Sequence, residues 1–457
     1  MTSWQIGRAI LFGTAALLWT SGEPAEVRAE TIADALASAY AANPTLQAER
    51  ARQRATDEGV AQALSGWRPT VTASADGGWD RTNPKPGGTT KTKPADVTIA
   101  LEQPLFRGFR TVSGTRVAEA TVKAGQQTLL AVEQQVLLDG VVAYLNVIRD
   151  RDILVQRRRA AGILAKEHKA TRARFEAGEI NRTDVALARA RASQADADVS
   201  TARAELAASA ADYIRVVGRP PGELRMPQPW RLLPASLVDA QTVARRNNPD
   251  LLTALHIEEA SRHTIDLVEG QLLPEVSLQA SYAASHEPLD DIEQSNSAFV
   301  GGAFTMPLYE SGSIYSQVRE AKHVASQRRL QILEQERSIR DQVTTAWTSL
   351  DAARMAAMAI REQVKANELA VQGVKEEQRV GAGPLIRVLD AERDLVESRV
   401  ALSRTVRDGV VAAYQLLASV GMLTAEHLRL PVDLYDPETH YRSVKNKWIG
   451  TDADTIK

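Results

Sequence analysis

Cysteine is absent from the 457-residue sequence, aromatics make up only 5% of it, and 55 Lys and Arg stand against 57 Asp and Glu for a net charge of -2. Without thiols there is no disulfide, no Cys nucleophile, no Cys-ligated zinc or iron–sulfur cluster, and no cysteine-linked lipid anchor. Without a basic surplus, a nucleic-acid partner is not expected. Mean hydropathy is -0.25, and past residue 29 no uninterrupted apolar run reaches the roughly 20 residues of a spanning helix. A polytopic helical membrane protein is thereby excluded, but a membrane β-barrel, whose strands are half polar, is not. His168, His256, His263, His286, His323, His427 and His440 form no HExxH and show no metal-ligand spacing. Gly381-Ala382-Gly383 follows no strand and reads as a helix-tip turn rather than a phosphate loop. No cofactor is implied, and an enzyme is not expected.

The N-terminus reads as a secretory signal. Arg8 precedes the apolar run 9–19, and Val27-Arg28-Ala29 offers a loose cleavage site, so residues 1–29 are expected to leave and Glu30 to begin the mature chain. The mature chain is a duplication. Asn43-Pro44 recurs as Asn248-Pro249, Pro69-Thr70-Val71 as Pro274-Glu275-Val276, and Pro104-Leu105-Phe106 as Pro307-Leu308-Tyr309. Tyr144, Gly178 and Gly218 recur as Trp347, Gly381 and Gly421 in the same order, always roughly 200 residues on. The domain organisation expected is a first repeat over 30–218, a Pro-rich linker over 219–235, a second repeat over 236–421 and a polar tail over 422–457, loosely ordered at its end.

Each repeat begins with a helix, spaced in the first by Ile32, Leu36 and Tyr40 and interrupted by Asn43-Pro44, since proline disfavours helix at the residue before it. Period-two alternation then predicts strands over about 68–82 and 95–107, and over about 274–286 and 297–309. Val71, Ala73 and Ala75 alternate with Thr72, Ser74 and Asp76; Val97, Ile99 and Leu101 alternate with Thr98 and Ala100. A soluble hairpin and a lipid-facing wall fit this pattern equally. The helices are more specific. Val343, Leu350, Ala357, Val364 and Val371 recur every seven residues, interleaved with Ile332, Ile339, Ala346, Ala353 and Ile360, which is a heptad seam. Val122, Leu129 and Val136 and then Leu130, Leu137 and Tyr144 make shorter seams, and Ala186, Ala188, Ala190, Ala192, Ala195 and Ala197 supply small residues for close helix approach. Helical hairpins are expected over 111–218 and 312–421, each with a first arm on the order of 100 Å long at 1.5 Å per residue. Gly178 and Gly381 mark the ends of the long arms. Asn181, Thr183 and Asp184 offer caps for the restart, and Pro384 suits a first helical turn in the second copy.

Two repeats supply four strands. A membrane sheet leaves no edge open to lipid, because unpaired backbone groups there cost several kcal/mol each, and the smallest bacterial barrels have about eight strands. At least two chains are therefore needed to close the ring, and cyclic assembly does so.

Through this duplication, and through Gln103-Pro104-Leu105-Phe106, Met306-Pro307-Leu308-Tyr309, Arg174-Phe175-Glu176-Ala177-Gly178, Arg182-Thr183-Asp184-Val185 and Val388-Leu389-Asp390-Ala391, the chain resembles the TolC-like outer-membrane efflux proteins over about 30–421. The resemblance implies an α+β membrane protein: a homotrimer whose twelve strands, four per chain, form one outer-membrane β-barrel continued by a coiled-coil periplasmic tunnel. It implies an exit channel in the outer membrane of a Gram-negative bacterium, serving efflux of drugs, dyes and detergents or type I protein secretion. A periplasmic adaptor (membrane fusion protein) and an inner-membrane pump of RND or ABC type would be its partners. The hairpin tips would form the periplasmic entrance. Asp184, with Thr183 beside it at the entrance, then belongs to a latch between neighbouring helices, and Asp390 to a carboxylate ring at the constriction. Three positions depart from the family pattern: Gln378 replaces an aromatic latch residue, Gly383 a basic latch partner and Arg387 a second ring acid. Arg387 is expected to pair with Asp390 on one helix face, making the ring less cation-selective. The rival reading, a periplasmic coiled-coil adaptor, would show one hairpin rather than two repeats with strands.

Overall fold

The computed structural model describes residues 30–83, 85–289 and 292–453. The signal-sequence reading of 1–29 lies outside them. The same succession of elements occurs twice. In the first half, α1 (Ile32–Ala42) and α2 (Pro44–Leu64) lead into strands β1 (Thr70–Gly77), β2 (Asp80–Thr82), β3 (Thr90–Thr92) and β4 (Ala95–Arg107). The helical hairpin α3 (Arg110–Glu176) and α4 (Arg182–Val217) follows. In the second half come α5 (Leu237–Asn247), α6 (Pro249–Glu269), β5 (Glu275–Leu289), β6 (Ile292–Thr305), α7 (Ser313–Arg379) and α8 (Leu385–Ser419). A short α9 (Pro437–Val444) lies in the tail.

The Asn-Pro repeat has a double function. Asn43 ends α1 and caps α2, accepting from Thr45 N at 2.9 Å, while its Nδ2 donates to Val216 O near the end of α4 at 3.1 Å. Asn248 does the same at its place, accepting from Asp250 N at 3.0 Å and donating to Ser419 O of α8 at 3.0 Å. One side chain thus caps a helix and ties the start of each unit to its end, and proline at the first helical position gives up no needed donor.

Strands β1, β4, β5 and β6 form one antiparallel sheet in the order β1-β4-β5-β6. The strand expected over 68–82 breaks at Gly78 and Trp79 into β1 and the small β2–β3 ribbon. The one expected over 297–309 starts earlier, at Ile292, and stops at Thr305, before the Pro307 that has no N–H to donate. Its counterpart Pro104 stays inside β4, accommodated by a register shift between Pro104 and Phe106. Register aligns Val71 with Leu101, Leu101 with Ala280, and Ala280 with Val300; the next row joins Ala73, Ile99, Tyr282 and Ala298. These rows make one apolar face. Thr72, Ala100, Ser281 and Phe299 lie on the other, as do Ser74 and Thr98. The apolar face is uncovered: Val71 is 65% exposed and Val300 75%.

Both long helices, α3 and α7, have 67 residues, about 100 Å of rise. On α7 the whole seam Val343, Leu350, Ala357, Val364 and Val371 is buried, whereas Ile332, Ala346, Ala353 and Ile360 flank it half-buried. On α4, Ala188, Ala195 and Ala202 form the buried seam, and Ala186, Ala190 and Ala197 face outward. The main core packs α1 against α3 and α4, with α8 joining it against α3, and buries Leu36, Tyr40, Leu137, Tyr144, Tyr213 and Leu417. One stretch of α3 is apolar enough on average to cross a membrane, but Glu133 and Asp139 interrupt the apolar part of this helix and half of the stretch is buried inside the fold, as in a core helix. Burial pushes the Tyr144 hydroxyl up to about 12. It donates among Glu30 O and Arg225 O and accepts from Arg225 N at 2.9 Å, clasping the linker.

The tail packs back on the fold up to Val444, and the expected loose end at 454–457 lies outside the described residues. Asp436 caps α9, His440 meets the buried Asp57 of α2 at 2.9 Å, and Lys445 meets Glu119 of α3 at 3.1 Å. Burial raises the Asp57 carboxyl, against the lowering effect of hydrogen bonds from His440 and Gln53.

Candidate channel entrance at the hairpin tips

At the first tip, α3 ends with Ala177, and Gly178 takes φ 79°. Gly178 N donates to Phe175 O at 2.9 Å and Glu179 N to Arg174 O at 2.9 Å, closing the last carbonyls as a left-handed residue permits. Asn181 is the cap of α4: its Oδ1 accepts from Asp184 N at 3.0 Å. Thr183 and Asp184 therefore sit in the first turn rather than at the cap, Thr183 exposed and Asp184 half-buried. An acid in a first turn is favoured by the helix dipole.

The second tip repeats the turn. Gly381 has φ 77°, its N–H donates to Gln378 O at 3.1 Å, and Ala382 N donates to Glu377 O at 2.9 Å. Gly383 is packed against Glu377, whose Cβ would lie 3.3 Å from an added Cβ. Pro384 stands one residue earlier than expected, at the cap position with ψ 148°, and Leu385 opens α8. The extended ψ needed at a cap is readily taken by proline, and no side chain caps this helix.

The expected pairing of Arg387 with Asp390 does not occur. Arg387 reaches back across the turn to Glu377 at 2.8 Å. Asp390 instead accepts from Arg191 of α4 at 3.0 Å, with Arg393 at 3.7 Å. Arg387 lies in the first turn of its helix, close to the end of α7, so the carboxylate across the turn is the nearer partner. Gln378 donates to Glu167 of α3 at 3.2 Å. Two of the five tip residues named from sequence, Gln378 and Asp390, thus tie one hairpin to the other, while Arg387 holds its own turn together.

Partners that the sequence did not single out complete the seam. Arg157 of α3 meets Glu397 of α8 at 2.7 Å and Asp198 of α4 at 3.3 Å. Ser403 of α8 donates to Asp152 of α3, and Arg407 to Asn146 at 3.0 Å. Within the second hairpin Lys375 pairs with Glu392. Each partner across the hairpins lies far along the chain, so only the fold brings it near. Beside Arg191 the hairpins leave a cavity of about 290 Å³ with an apolar floor that includes Leu164, Ala195, Leu389 and Val396. Among the described residues, no group of three or more His, Asp or Glu is placed to hold a metal ion.

Comparison with known proteins fits this geometry. The family described as outer membrane efflux protein matches residues 35–219 and 242–422. The outer membrane efflux protein BepC of Brucella suis is 36% identical over 423 residues, 92% of each chain. The outer membrane protein TolC of Vibrio cholerae is 25% identical, covering 88% of this chain and 92% of its own. The crystal structure of the Campylobacter jejuni CmeC outer membrane channel superposes with a TM-score of 0.78 at 14% identity, over 97% of this chain and 98% of that one, and so shares the fold. The four-stranded sheet, the paired long hairpins and these matches lead to one conclusion: the chain belongs to the outer membrane efflux protein family and is an outer-membrane channel for export from a Gram-negative bacterium.

Proposed function

We propose that the chain is one third of a trimeric exit duct. Three four-stranded sheets close a twelve-stranded barrel in the outer membrane, and three pairs of hairpins continue it as a periplasmic tunnel. The sheet carries this reading: among the described residues β1 and β6 each have one strand neighbour, and the apolar face is uncovered. Edges in lipid would leave backbone groups unpaired at several kcal/mol each, so the strands pair with further copies. The repeats are the two halves of each third, over 30–218 and 236–421, joined by 219–235 and followed by the tail from 422.

At the tips, Thr183, Asp184, Gln378, Arg387 and Asp390 form the entrance, with Gly178, Gly381, Gly383 and Pro384 shaping the turns. The resting entrance is held by the links of Gln378 and Asp390 to the neighbouring hairpin. An adaptor and an inner-membrane pump supply the energy and open it. The cargo is toxic small compounds such as drugs, dyes and detergents, as the efflux naming of BepC suggests.

Membrane fractionation and gel mobility test the assembly. An outer-membrane species that runs as a trimer unheated and as a monomer after boiling is expected. A soluble periplasmic monomer would overturn it. Deleting the gene and scoring dye, detergent and antibiotic sensitivity beside protein secretion separates the cargo classes. Lost secretion with unchanged sensitivity would replace small compounds by proteins.

A further inference from the structure

The tail climbs towards the sheet. Beyond α9, whose Val444 is buried and whose His440 is held at Asp57, the chain turns at Lys447, whose N–H donates to Val444 O at 2.9 Å. Lys447 O then accepts from Arg68 Nη1 at 2.8 Å, and the Trp448 ring lies 4.9 Å from the Arg68 guanidinium carbon. Asp57 and Arg68 are eleven residues apart along α2 and the turn after it, so the strap ascends roughly 16 Å at helical rise. Its end sits at the first rows of the sheet: Gln103 of β4 donates to Trp67 O at 2.9 Å, and its neighbour Glu102 pairs with Thr70 of β1.

At that level the strap presents Trp448, 65% exposed, and Ile449, 90% exposed, with Trp67 beside Arg68 also exposed. Among the described residues neither Arg68 nor Lys447 has a carboxylate partner; Lys447 Nζ donates to Asp452 O at 3.1 Å. An indole, a branched aliphatic side chain and two cations gathered at the end of an apolar sheet face are what the polar–apolar boundary of a bilayer favours. The indole spans headgroup and acyl regions, the aliphatic chain enters the acyl region, and the cations meet lipid phosphates.

We propose that Trp448 and Ile449 form a membrane-interface anchor that inserts into the inner leaflet of the outer membrane, with Arg68 and Lys447 on phospholipid phosphates. The occupant is lipid because the strap is held at Arg68, beside the first rows of the strands that bear the uncovered apolar face, and carries the charge that anionic headgroups need. The anchor supplies a contact that this Cys-free chain has no thiol-linked lipid to make. It rests on the reading of the sheet as the lipid-facing wall.

The absence of cysteine makes the test clean, since one introduced cysteine is the only thiol. Full-length Ile449→Cys, Val300→Cys and Leu369→Cys are each spin-labelled and reconstituted into vesicles of phosphatidylethanolamine and phosphatidylglycerol. Accessibility to lipid-soluble oxygen and to an aqueous nickel chelate is then measured. The Val300 label marks the sheet face and the Leu369 label the exposed surface of α7. The label at 449 is expected to show a several-fold higher oxygen-to-nickel ratio than that at 369, approaching that at 300. A ratio at 449 equal to that at 369 overturns the anchor and leaves the barrel standing, as does a label shielded from both reagents, which would mean a protein cover. A Val300 label that collides freely with nickel overturns the barrel and the anchor together.

Discussion

Removing the Arg191 guanidinium is expected to loosen the resting entrance. Arg191 and Asp390 meet at 3.0 Å with side chains 34% and 42% exposed. Solvent screens such a pair, so it contributes about 0.2–1 kcal/mol rather than the value of a buried one. In a trimer three copies act on one opening, giving about 0.6–3 kcal/mol, or roughly 3-fold to 100-fold in the ratio of open to closed channels at 1.4 kcal/mol per decade. Single-channel recording of Arg191→Ala in planar bilayers at about 0.1 M KCl, where screening acts over about 10 Å, reads this as higher mean conductance or longer open periods. At about 1 M salt, where screening acts over about 3 Å, the difference from the parent channel should shrink. The exchanged pair, Arg191→Asp with Asp390→Arg, should restore the closed behaviour. Conductance of Arg191→Ala identical to the parent at low salt would refute the latch, as would an effect that neither salt nor the exchange diminishes.

Gly108 has φ 57°, and an added Cβ would lie 2.2 Å from Gly270 O, where backbone meets backbone at the passage from sheet to helix. Gly108→Ala should therefore cost more than the roughly 1–2 kcal/mol of left-handed strain alone, seen as a lowered midpoint of thermal loss of helical circular dichroism. Gly114→Ala, whose Cβ would lie 3.8 Å from Leu267, should be neutral or slightly stabilising. Tyr144 and Tyr414 are pushed up to about 12 by burial. The native state therefore keeps protons that the unfolded chain loses near pH 10, and stability holds up to about pH 10 and falls from there towards 12. Denaturant midpoints across that interval should fall, and a flat profile would contradict the burial. Arg387→Asp leaves Glu377 facing a like charge and adds acid at the tip, so reversal-potential measurements should show stronger cation preference; unchanged selectivity would remove Arg387 from the conduction path.

Spacing along the chain was enough to reveal what repeats and what alternates. Heptad spacing placed the α7 seam at Val343 to Val371, because burial along a helix recurs with the turn. Period two put Val71, Val97 and Ile99 on one face, because a strand turns successive side chains to opposite sides. Glycines at 178 and 381 marked the tip turns, because a left-handed residue closes a helix best. Pairings across hundreds of residues emerge only once the chain is folded. Arg387 turned to Glu377 and Asp390 to Arg191, although spacing along α8 had suggested that they pair with each other. The strap that brings Lys447 O to Arg68 joins positions with no common pattern. Periodicity is a property of one helix or strand and survives in the chain as spacing. Partner choice is set by the distance between separate elements, which no spacing along the sequence records.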